Sequence, residues 1–358
     1  MRIRRSVIWA VAAAIGAATA GVVATMAGAA PGKPAASEVS YVIPTVSTAA
    51  ANLADGLSLA VNVGGGPTRD VEVDTGSLGF VIARGALGSG AVDTGKAGFI
   101  EYTSSGEILS GEYFLATVSF QRPQGAVATV PIRVLGVTAS SCASGYPDCT
   151  PDSDISKVGM LGVGYSEYAK TDSPGPTSAD NAFLQLAAMH NGQAQPGYIV
   201  TRSGVTLGLT AQQIASFHTV HLALAPPPSG TGSDIESMPG CFAFPDHGDA
   251  SHCGSILFDT GISRMIVGLP TADRPAGIAA AIPNGTRIKV GTPNLTGPEF
   301  GYTTTVGDPG DPIAPLGNPA ASWAHDTAFV NTGRELLAAY DYLYDAVGRQ
   351  SGFRSDPN

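Results

Sequence analysis

Two segments of this sequence decide its fold: Val71-Glu72-Val73-Asp74-Thr75-Gly76-Ser77 and Ile256-Leu257-Phe258-Asp259-Thr260-Gly261-Ile262. Each is an apolar, strand-like run that ends in Asp-Thr-Gly. Glycine allows the backbone to turn sharply directly after the strand, which presents the aspartate at its tip. Enough chain lies between the two segments to form a lobe. The sequence therefore predicts two similar lobes that each deliver one carboxyl group.

Two carboxyls held close together suit acid–base chemistry. Both cannot ionise cheaply, so they share one proton. One can then act as a base on a bound water while the other protonates a carbonyl oxygen. We expect the hydroxyls of Thr75 and Thr260 to bond to backbone across the interface and lock the two loops together. A third copy, Asp93-Thr94-Gly95, has no apolar strand before it, and we interpret it as an ordinary turn.

The composition favours many short strands over long helices. The chain has 358 residues, of which 44% are hydrophobic and 13% are charged, with 46 Gly and 26 Pro. The formal net charge is −10, and Lys and Arg form no cluster beyond the N-terminal leader. A nucleic-acid partner is therefore not expected.

The N-terminus has the pattern of an export signal, which we assign to residues 1–30. Three arginines precede a weakly apolar stretch at residues 7–30, and Ala27-Gly28-Ala29 fits a small-residue cleavage site. The stretch is also long enough to span a membrane, so an uncleaved anchor is the competing interpretation. We expect an exported protein, extracellular or periplasmic, with a membrane-tethered form as the alternative.

The four cysteines form two close pairs, Cys142 with Cys149 and Cys241 with Cys253. In an exported protein this proximity predicts two local disulfides, although four cysteines allow three pairings. His247 and His252 lie inside the second pair and raise a metal site as an alternative. Their spacing matches no regular zinc pattern, so we expect no metal and no other cofactor.

Four further segments complete a family resemblance, in the order 58–67, 100–106 with 110–111, 159–165 and 340–353. Together with the two Asp-Thr-Gly loops they resemble the pepsin-like aspartic peptidases, as a bacterial-type secreted member. The resemblance implies an all-β, bilobal fold with pseudo-two-fold symmetry and a cleft between the lobes. The N-terminal lobe with its flap would span residues 31–204, and the C-terminal lobe residues 205–358.

The resemblance also implies a secreted aspartic endopeptidase, a hydrolase that acts on a polypeptide substrate and is expected to be a monomer. Asp74 and Asp259 would be catalytic and would activate a water between them. The expected supporting residues are Thr75, Gly76, Ser77, Thr260 and Gly261. The expected flap residues, which would close over substrate, are Tyr102, Ser105 and Gly106.

Three departures from the family pattern affect this expectation. Ile262 stands where the family usually has Ser or Thr, so we expect no hydroxyl beside the outer oxygen of Asp259. Leu78-Gly79-Phe80 replaces a more polar stretch, and Asn331-Thr332-Gly333 puts two polar residues where the family has apolar ones. These departures keep an alternative open: a catalytically weak or inactive protein of the same fold that binds peptide, carbohydrate or protein in the cleft.

Overall fold

The described part of the chain folds largely into β-strands. A computed structural model describes residues 39–165, 176–225, 234–248, 250–278, 281–315, 319–322 and 326–356. Ala36–Asn358 forms one compact unit, whereas Met1–Ala35, with the predicted export signal, lies outside the described residues. Among the described helices, none combines the length and the apolar character that a membrane crossing requires.

The strands and helices are short. In chain order the strands are β1 (Tyr41–Pro44), β2 (Ser58–Val63), β3 (Arg69–Asp74), β4 (Leu78–Ala83), β5 (Val92–Tyr102), β6 (Glu107–Ala116), β7 (Val118–Phe120), β8 (Val127–Ala128), β9 (Ile132–Cys142), β10 (Gly159–Val163), β11 (Gln195–Thr201), β12 (Gly204–Leu209), β13 (His218–His221), β14 (Leu224–Ala225), β15 (Asp234–Ile235), β16 (Met238–Ala243), β17 (His252–Leu257), β18 (Ile266–Gly268), β19 (Arg287–Thr292), β20 (Phe300–Thr305), β21 (Ala320–Ser322), β22 (Ala328–Asn331), β23 (Tyr340–Asp345) and β24 (Gln350–Ser355). The α-helices are α1 (Ala49–Asp55), α2 (Ala187–His190) and α3 (Ala211–Ala215). Single 3-10 turns cover Arg84–Ala86, Ile155–Lys157, Ser178–Asp180, Pro245–His247, Thr271–Asp273 and Arg334–Ala338.

The strands form three large sheets. A nine-stranded sheet has the order β5-β6-β9-β4-β10-β3-β2-β7-β8, and a seven-stranded sheet has the order β20-β19-β16-β17-β22-β18-β21. A six-stranded sheet, β1-β12-β11-β23-β24-β13, joins strands from both halves of the chain, and β14 pairs with β15. The lobe boundary that we predict between residues 204 and 205 lies at the start of β12 in this shared sheet, and it stays a prediction.

The centres of the nine- and seven-stranded sheets repeat one arrangement. In the first sheet β3 is parallel to β10, β10 is antiparallel to β4, and β4 is parallel to β9. In the second sheet β17, β22, β18 and β21 follow the same sequence of parallel, antiparallel and parallel pairs. This repetition is the internal symmetry that the two Asp-Thr-Gly segments suggest, and the predicted all-β, bilobal fold is confirmed.

The β2–β3 hairpin shows why the first Asp-Thr-Gly lies at a strand tip. Alternate residues of β2 are buried, and Val71 and Val73 of β3 are fully buried against them. Burying side chains of this size contributes about 1.5–3 kcal/mol each. The tight connection uses Gly64 and Gly65, which both have positive φ. The apolar face thus fixes the register that carries Asp74 to the end of the strand.

The third Asp-Thr-Gly does not form the ordinary turn that we predict. It lies inside β5, where the pairing with β6 shifts register between Asp93 and Lys96. The backbone N–H of Gly95 donates to Oδ1 of Asp93 over 2.7 Å, and Gly95 has a φ of +64°. The tripeptide is therefore a bulge in a solvent-exposed strand, because the long hairpin partner extends pairing past it.

Both predicted disulfides are confirmed. Cys142–Cys149 closes a loop that begins at the end of β9, and Cys241–Cys253 links facing residues of the neighbouring strands β16 and β17. All four cysteines are paired.

Candidate active site

The two aspartates lie at equivalent places in the repeated arrangement. Asp74 is the last residue of β3, and Asp259 follows the end of β17 by two residues. Their exposed fractions are 5% and 6%. A Cβ built on Gly76 would lie 2.5 Å from Oδ1 of Asp259, and one built on Gly261 would lie 2.6 Å from Cγ of Asp74. Each glycine therefore makes room for the carboxyl of the opposite loop, which brings the two carboxyls together.

Each carboxyl receives two hydrogen bonds from its own lobe. The N–H of Gly76 donates to Oδ1 of Asp74 over 2.7 Å, and the Ser77 hydroxyl bonds to Oδ2 over 2.5 Å. The N–H of Gly261 donates to Oδ1 of Asp259 over 2.9 Å. These contacts place the predicted supporting residues Gly76, Ser77 and Gly261 directly on the pair.

The two threonines connect the loops as expected. The Thr75 hydroxyl donates to the carbonyl of Phe258 over 2.7 Å and accepts from the N–H of Thr260 over 3.1 Å. The Thr260 hydroxyl donates to the carbonyl of Val73 over 2.6 Å and accepts from the N–H of Thr75 over 3.1 Å. Both hydroxyls are buried, so these four bonds form a symmetrical, water-excluded lock beneath the aspartates.

Asn331 supplies the contact that Ile262 lacks, which the sequence interpretation missed. Its side-chain Nδ2 donates to Oδ2 of Asp259 over 2.6 Å, and Asn331 itself is 4% exposed. It lies at the end of β22, opposite Leu257 of β17. The sequence contains a signal for this contact. Asn331 is a polar residue at a strand position that is usually apolar, and Ile262 lacks the hydroxyl that such a residue could replace. Each of the two residues departs from the family pattern, but together they keep a side-chain donor on Asp259.

The environment favours the protonated form of the second aspartate. Burial is the main cause that raises the pKa of Asp259 well above its usual range, and the nearby Asp74 charge raises it further. Hydrogen bonds from Asn331 and Gly261 oppose this rise because they stabilise the ionised carboxyl. This environment therefore favours a proton on Asp259 beside the carboxyl of Asp74.

Arg334 ties the second loop to the first lobe, a role that sequence reasoning also missed. Its guanidinium donates to the carbonyls of Leu53 and Ala54 at the end of α1, each over 3.1 Å, and to that of Thr260 over 3.4 Å. It also lies 3.6 Å from the carboxylate of Glu72, two residues before Asp74. Burial raises the pKa of Glu72 to about 7, although the Arg334 charge opposes the rise.

The predicted flap residues lie at the tip of the β5–β6 hairpin. Tyr102 ends β5, and its carbonyl accepts from the N–H groups of Ser105, over 3.2 Å, and Gly106, over 2.7 Å. Gly106 has a φ of +77°, which explains the need for glycine in this turn. A Cβ built on Gly79 would lie 3.4 Å from Cδ1 of Ile100. The flap strand therefore runs beside the segment that follows the first aspartate loop.

The loop closed by Cys142–Cys149 packs against this flap tip. The Tyr146 hydroxyl donates to the carbonyl of Thr103 over 2.9 Å, and its ring leaves no space for a side chain at Gly106. The N–H of Ala143 donates to the carbonyl of Gly106 over 2.8 Å. The disulfide thus restrains a loop that holds the turn between β5 and β6.

The part of the chain that the structure describes contains no group of three or more His, Cys, Asp or Glu side chains placed to hold a metal ion. His247 and His252 have separate contacts: Nδ1 of His247 bonds to the carbonyl of Ala276, and the His252 ring packs on Phe242.

Comparison with known proteins agrees with this architecture. The chain is similar to the crystal structure of an aspartic proteinase from Irpex lacteus, with a TM-score of 0.54 and 12% sequence identity. The match covers 89% of this chain and 98% of that chain. At this identity the likeness establishes the shared fold alone. No protein-family model and no curated protein sequence matches the chain.

Proposed function

We propose that this protein is a secreted aspartic endopeptidase that hydrolyses peptide bonds by a water held between Asp74 and Asp259. The observation that carries the proposal is the paired environment of the two carboxyls: both are buried, each receives a backbone N–H from the glycine two residues on, and each receives a side-chain donor. Structural aspartates in turns do not require such a matched arrangement across two sheets.

The expected reaction uses the shared proton. The ionised carboxyl takes a proton from the water as it attacks the peptide carbonyl carbon, and the protonated carboxyl gives its proton to the carbonyl oxygen, which forms a tetrahedral intermediate. The intermediate collapses when the newly protonated carboxyl gives its proton to the amide nitrogen, the C–N bond breaks, and the other carboxyl takes a proton back from a hydroxyl of the intermediate. The raised pKa of Asp259 favours it as the proton donor in the first of these steps. No covalent enzyme intermediate is required. The Thr75–Thr260 lock supports the short distance between the carboxyls, since both loops would have to move together.

The substrate is expected to be a polypeptide bound in an extended form between the lobes and beneath the flap. Tyr102, Ser105 and Gly106 are the proposed flap contacts. Two disulfides fit an exported, oxidising location, and a bacterial-type secreted member of the pepsin-like peptidases remains our proposal for the subfamily.

The test is a cleavage assay of the purified mature protein on a denatured protein, from acid to neutral pH, with and without pepstatin. We expect cleavage at acid pH that pepstatin blocks and that Asp74→Asn and Asp259→Asn each abolish. If both variants cleave the substrate as well as the wild-type protein does, the proposal is refuted. If the wild-type protein cuts nothing but binds denatured peptide, the alternative of an inactive peptide-binding protein takes its place.

A further inference from the structure

The donors that support the two aspartates differ in chemical type. Asp74 has the Ser77 hydroxyl at Oδ2, and a hydroxyl can donate a hydrogen bond or accept one. Asp259 has the Asn331 amide nitrogen at Oδ2, and an amide NH2 group can only donate. An oxygen that faces this group must therefore act as an acceptor. The supports at the two Oδ2 atoms are therefore unequal, because only the Ser77 hydroxyl can also accept a hydrogen bond.

The backbone fixes which end of the Asn331 side chain faces Asp259. The N–H of Gly333 donates to Oδ1 of Asn331 over 3.0 Å. If the amide were turned over, its NH2 group would meet this N–H, and two donors would face each other in a buried site. The carbonyl end would also face a carboxyl oxygen. The Gly333 N–H thus holds Nδ2 on the Asp259 side.

We infer that Asn331 is a positioning residue that replaces the hydroxyl missing at Ile262 and stabilises the ionised form of Asp259. This inference rests on the proposed function for its kinetic consequence. The Asn331 amide nitrogen cannot accept a hydrogen bond from a protonated Asp259, so this contact favours the ionised carboxyl, whereas the Ser77 hydroxyl can donate or accept at Asp74.

Glu335 lies beside Gly333, and burial raises its pKa to about 7, so a comparison of variants needs the Asp259→Asn background to isolate the effect on Asp259. Asp74 faces Asp259 from the opposite loop, and Arg334, with Glu72 beside it, contacts the backbone of Thr260. Asn331→Leu removes the donor and restores an apolar residue at the strand end. Because the donor stabilises the ionised carboxyl, its loss raises the pKa of Asp259 further. We expect the alkaline limb of the kcat/KM profile to move up by about one pH unit and kcat to fall about tenfold.

The rescue experiment adds a hydroxyl at residue 262 to the Asn331→Leu variant. Ile262→Thr together with Asn331→Leu is expected to recover most of the lost kcat and return the alkaline limb towards the wild-type position. Thr332→Val is the matched control, since its buried hydroxyl bonds to the Gly333 carbonyl over 3.1 Å rather than to an aspartate. An Asn331→Leu profile no different from that of Thr332→Val, or a double variant no better than Asn331→Leu, would overturn the inference.

A readout without catalysis separates this inference from the proposed function. Because the folded pKa of Asp259 is raised, its contribution to stability is complete below its unfolded pKa of about 3.9 and is lost as pH rises through the folded value. Asn331→Leu extends that loss to higher pH. The difference in Tm between wild type and Asn331→Leu should therefore grow with pH, and this growth should vanish when both carry Asp259→Asn.

The outcomes are distinct. A wild-type protein that cleaves nothing refutes the peptidase proposal, while a Tm difference that grows with pH still supports the role of Asn331. A Tm difference that stays constant with pH overturns that role even in an active enzyme. If Asn331→Leu does not fold, Asn331→Ala removes the same donor and adds no ionisable group. The same growth of the Tm difference is expected for it, and its absence again overturns the inference.

Discussion

Replacing Thr260 with valine tests the lock beneath the aspartates. The change keeps the shape of the side chain and removes one buried hydroxyl. That hydroxyl donates to the Val73 carbonyl over 2.6 Å and accepts from the Thr75 N–H over 3.1 Å. Thr260 is fully buried, so no water can reach the two backbone groups that lose their partner.

The expected loss of stability follows from these two backbone groups. A buried donor or acceptor left without a partner costs about 1–3 kcal/mol. With one of each, Thr260→Val should lower the free energy of unfolding by about 2–6 kcal/mol. Thr260→Ser keeps the hydroxyl and should lose much less. Thr75→Val is expected to resemble Thr260→Val, because its hydroxyl makes the symmetrical pair of bonds to Phe258 and Thr260.

Urea unfolding at equilibrium measures this loss, and it needs no catalytic activity. Thr94→Val is the matched control. The Thr94 hydroxyl also donates to one backbone carbonyl and accepts from one backbone N–H, but it is half-buried in the bulge of β5. Water can replace those bonds, so we expect a loss of about 1 kcal/mol or less. If Thr260→Val costs no more than Thr94→Val, the lock does not stabilise the fold as argued.

Three further changes test neighbouring features. Gly76→Ala should lower stability by about 1–3 kcal/mol and abolish cleavage, because the added methyl would overlap the carboxyl of Asp259. Glu72→Gln should gain stability relative to wild type between acid and neutral pH, since the Glu72 pKa of about 7 makes the wild-type contribution fall as pH rises from about 4.3 through that value. Opening the loop at the flap with Cys142→Ser and Cys149→Ser should cost about 2–3 kcal/mol and raise KM more than it lowers kcat.

Two of these changes have a control variant in the chain. Gly85→Ala should be nearly neutral, because an added Cβ there meets nothing within 4 Å. An equal effect at Gly76 would contradict the close approach of the carboxyl. Cys241→Ser with Cys253→Ser removes a disulfide between β16 and β17, and it should lower stability without a selective change in KM. A difference between wild type and Glu72→Gln that is constant across pH would contradict the raised pKa.

Local sequence patterns predict the parts of this fold that are formed by residues close together in the chain. The buried alternation of β2 and β3 predicts the hairpin that ends at Asp74, and the two cysteine pairs predict the local disulfides. The capping box of α3 is an equally local contact, since Thr210 pairs with Gln213 three residues later. In each case the interacting residues are adjacent in sequence or separated by a single turn.

The bulge at Asp93-Thr94-Gly95 cannot be predicted from local sequence alone. Its own residues are polar and include glycine, and locally they favour a turn. They pair within a strand because β6 continues beside them and supplies the hydrogen-bond partners. Pairing with β6 therefore outweighs the local preference of this segment for a turn. The residues of the segment do not indicate that β6 will lie beside them.

The sequence by itself determined that two similar lobes each present an Asp-Thr-Gly loop, because the apolar strand, the turn and the glycine are all local requirements. Only the tertiary structure decided how the second aspartate is held. Ile262 removes a hydroxyl and Asn331 returns a donor from another strand, a pairing set by the parallel register of β17 and β22. Likewise, Arg334 joins α1, Glu72 and Thr260 across segments far apart in the chain. Such contacts depend on which strands become neighbours, and that is fixed by burial of the whole core rather than by any one segment.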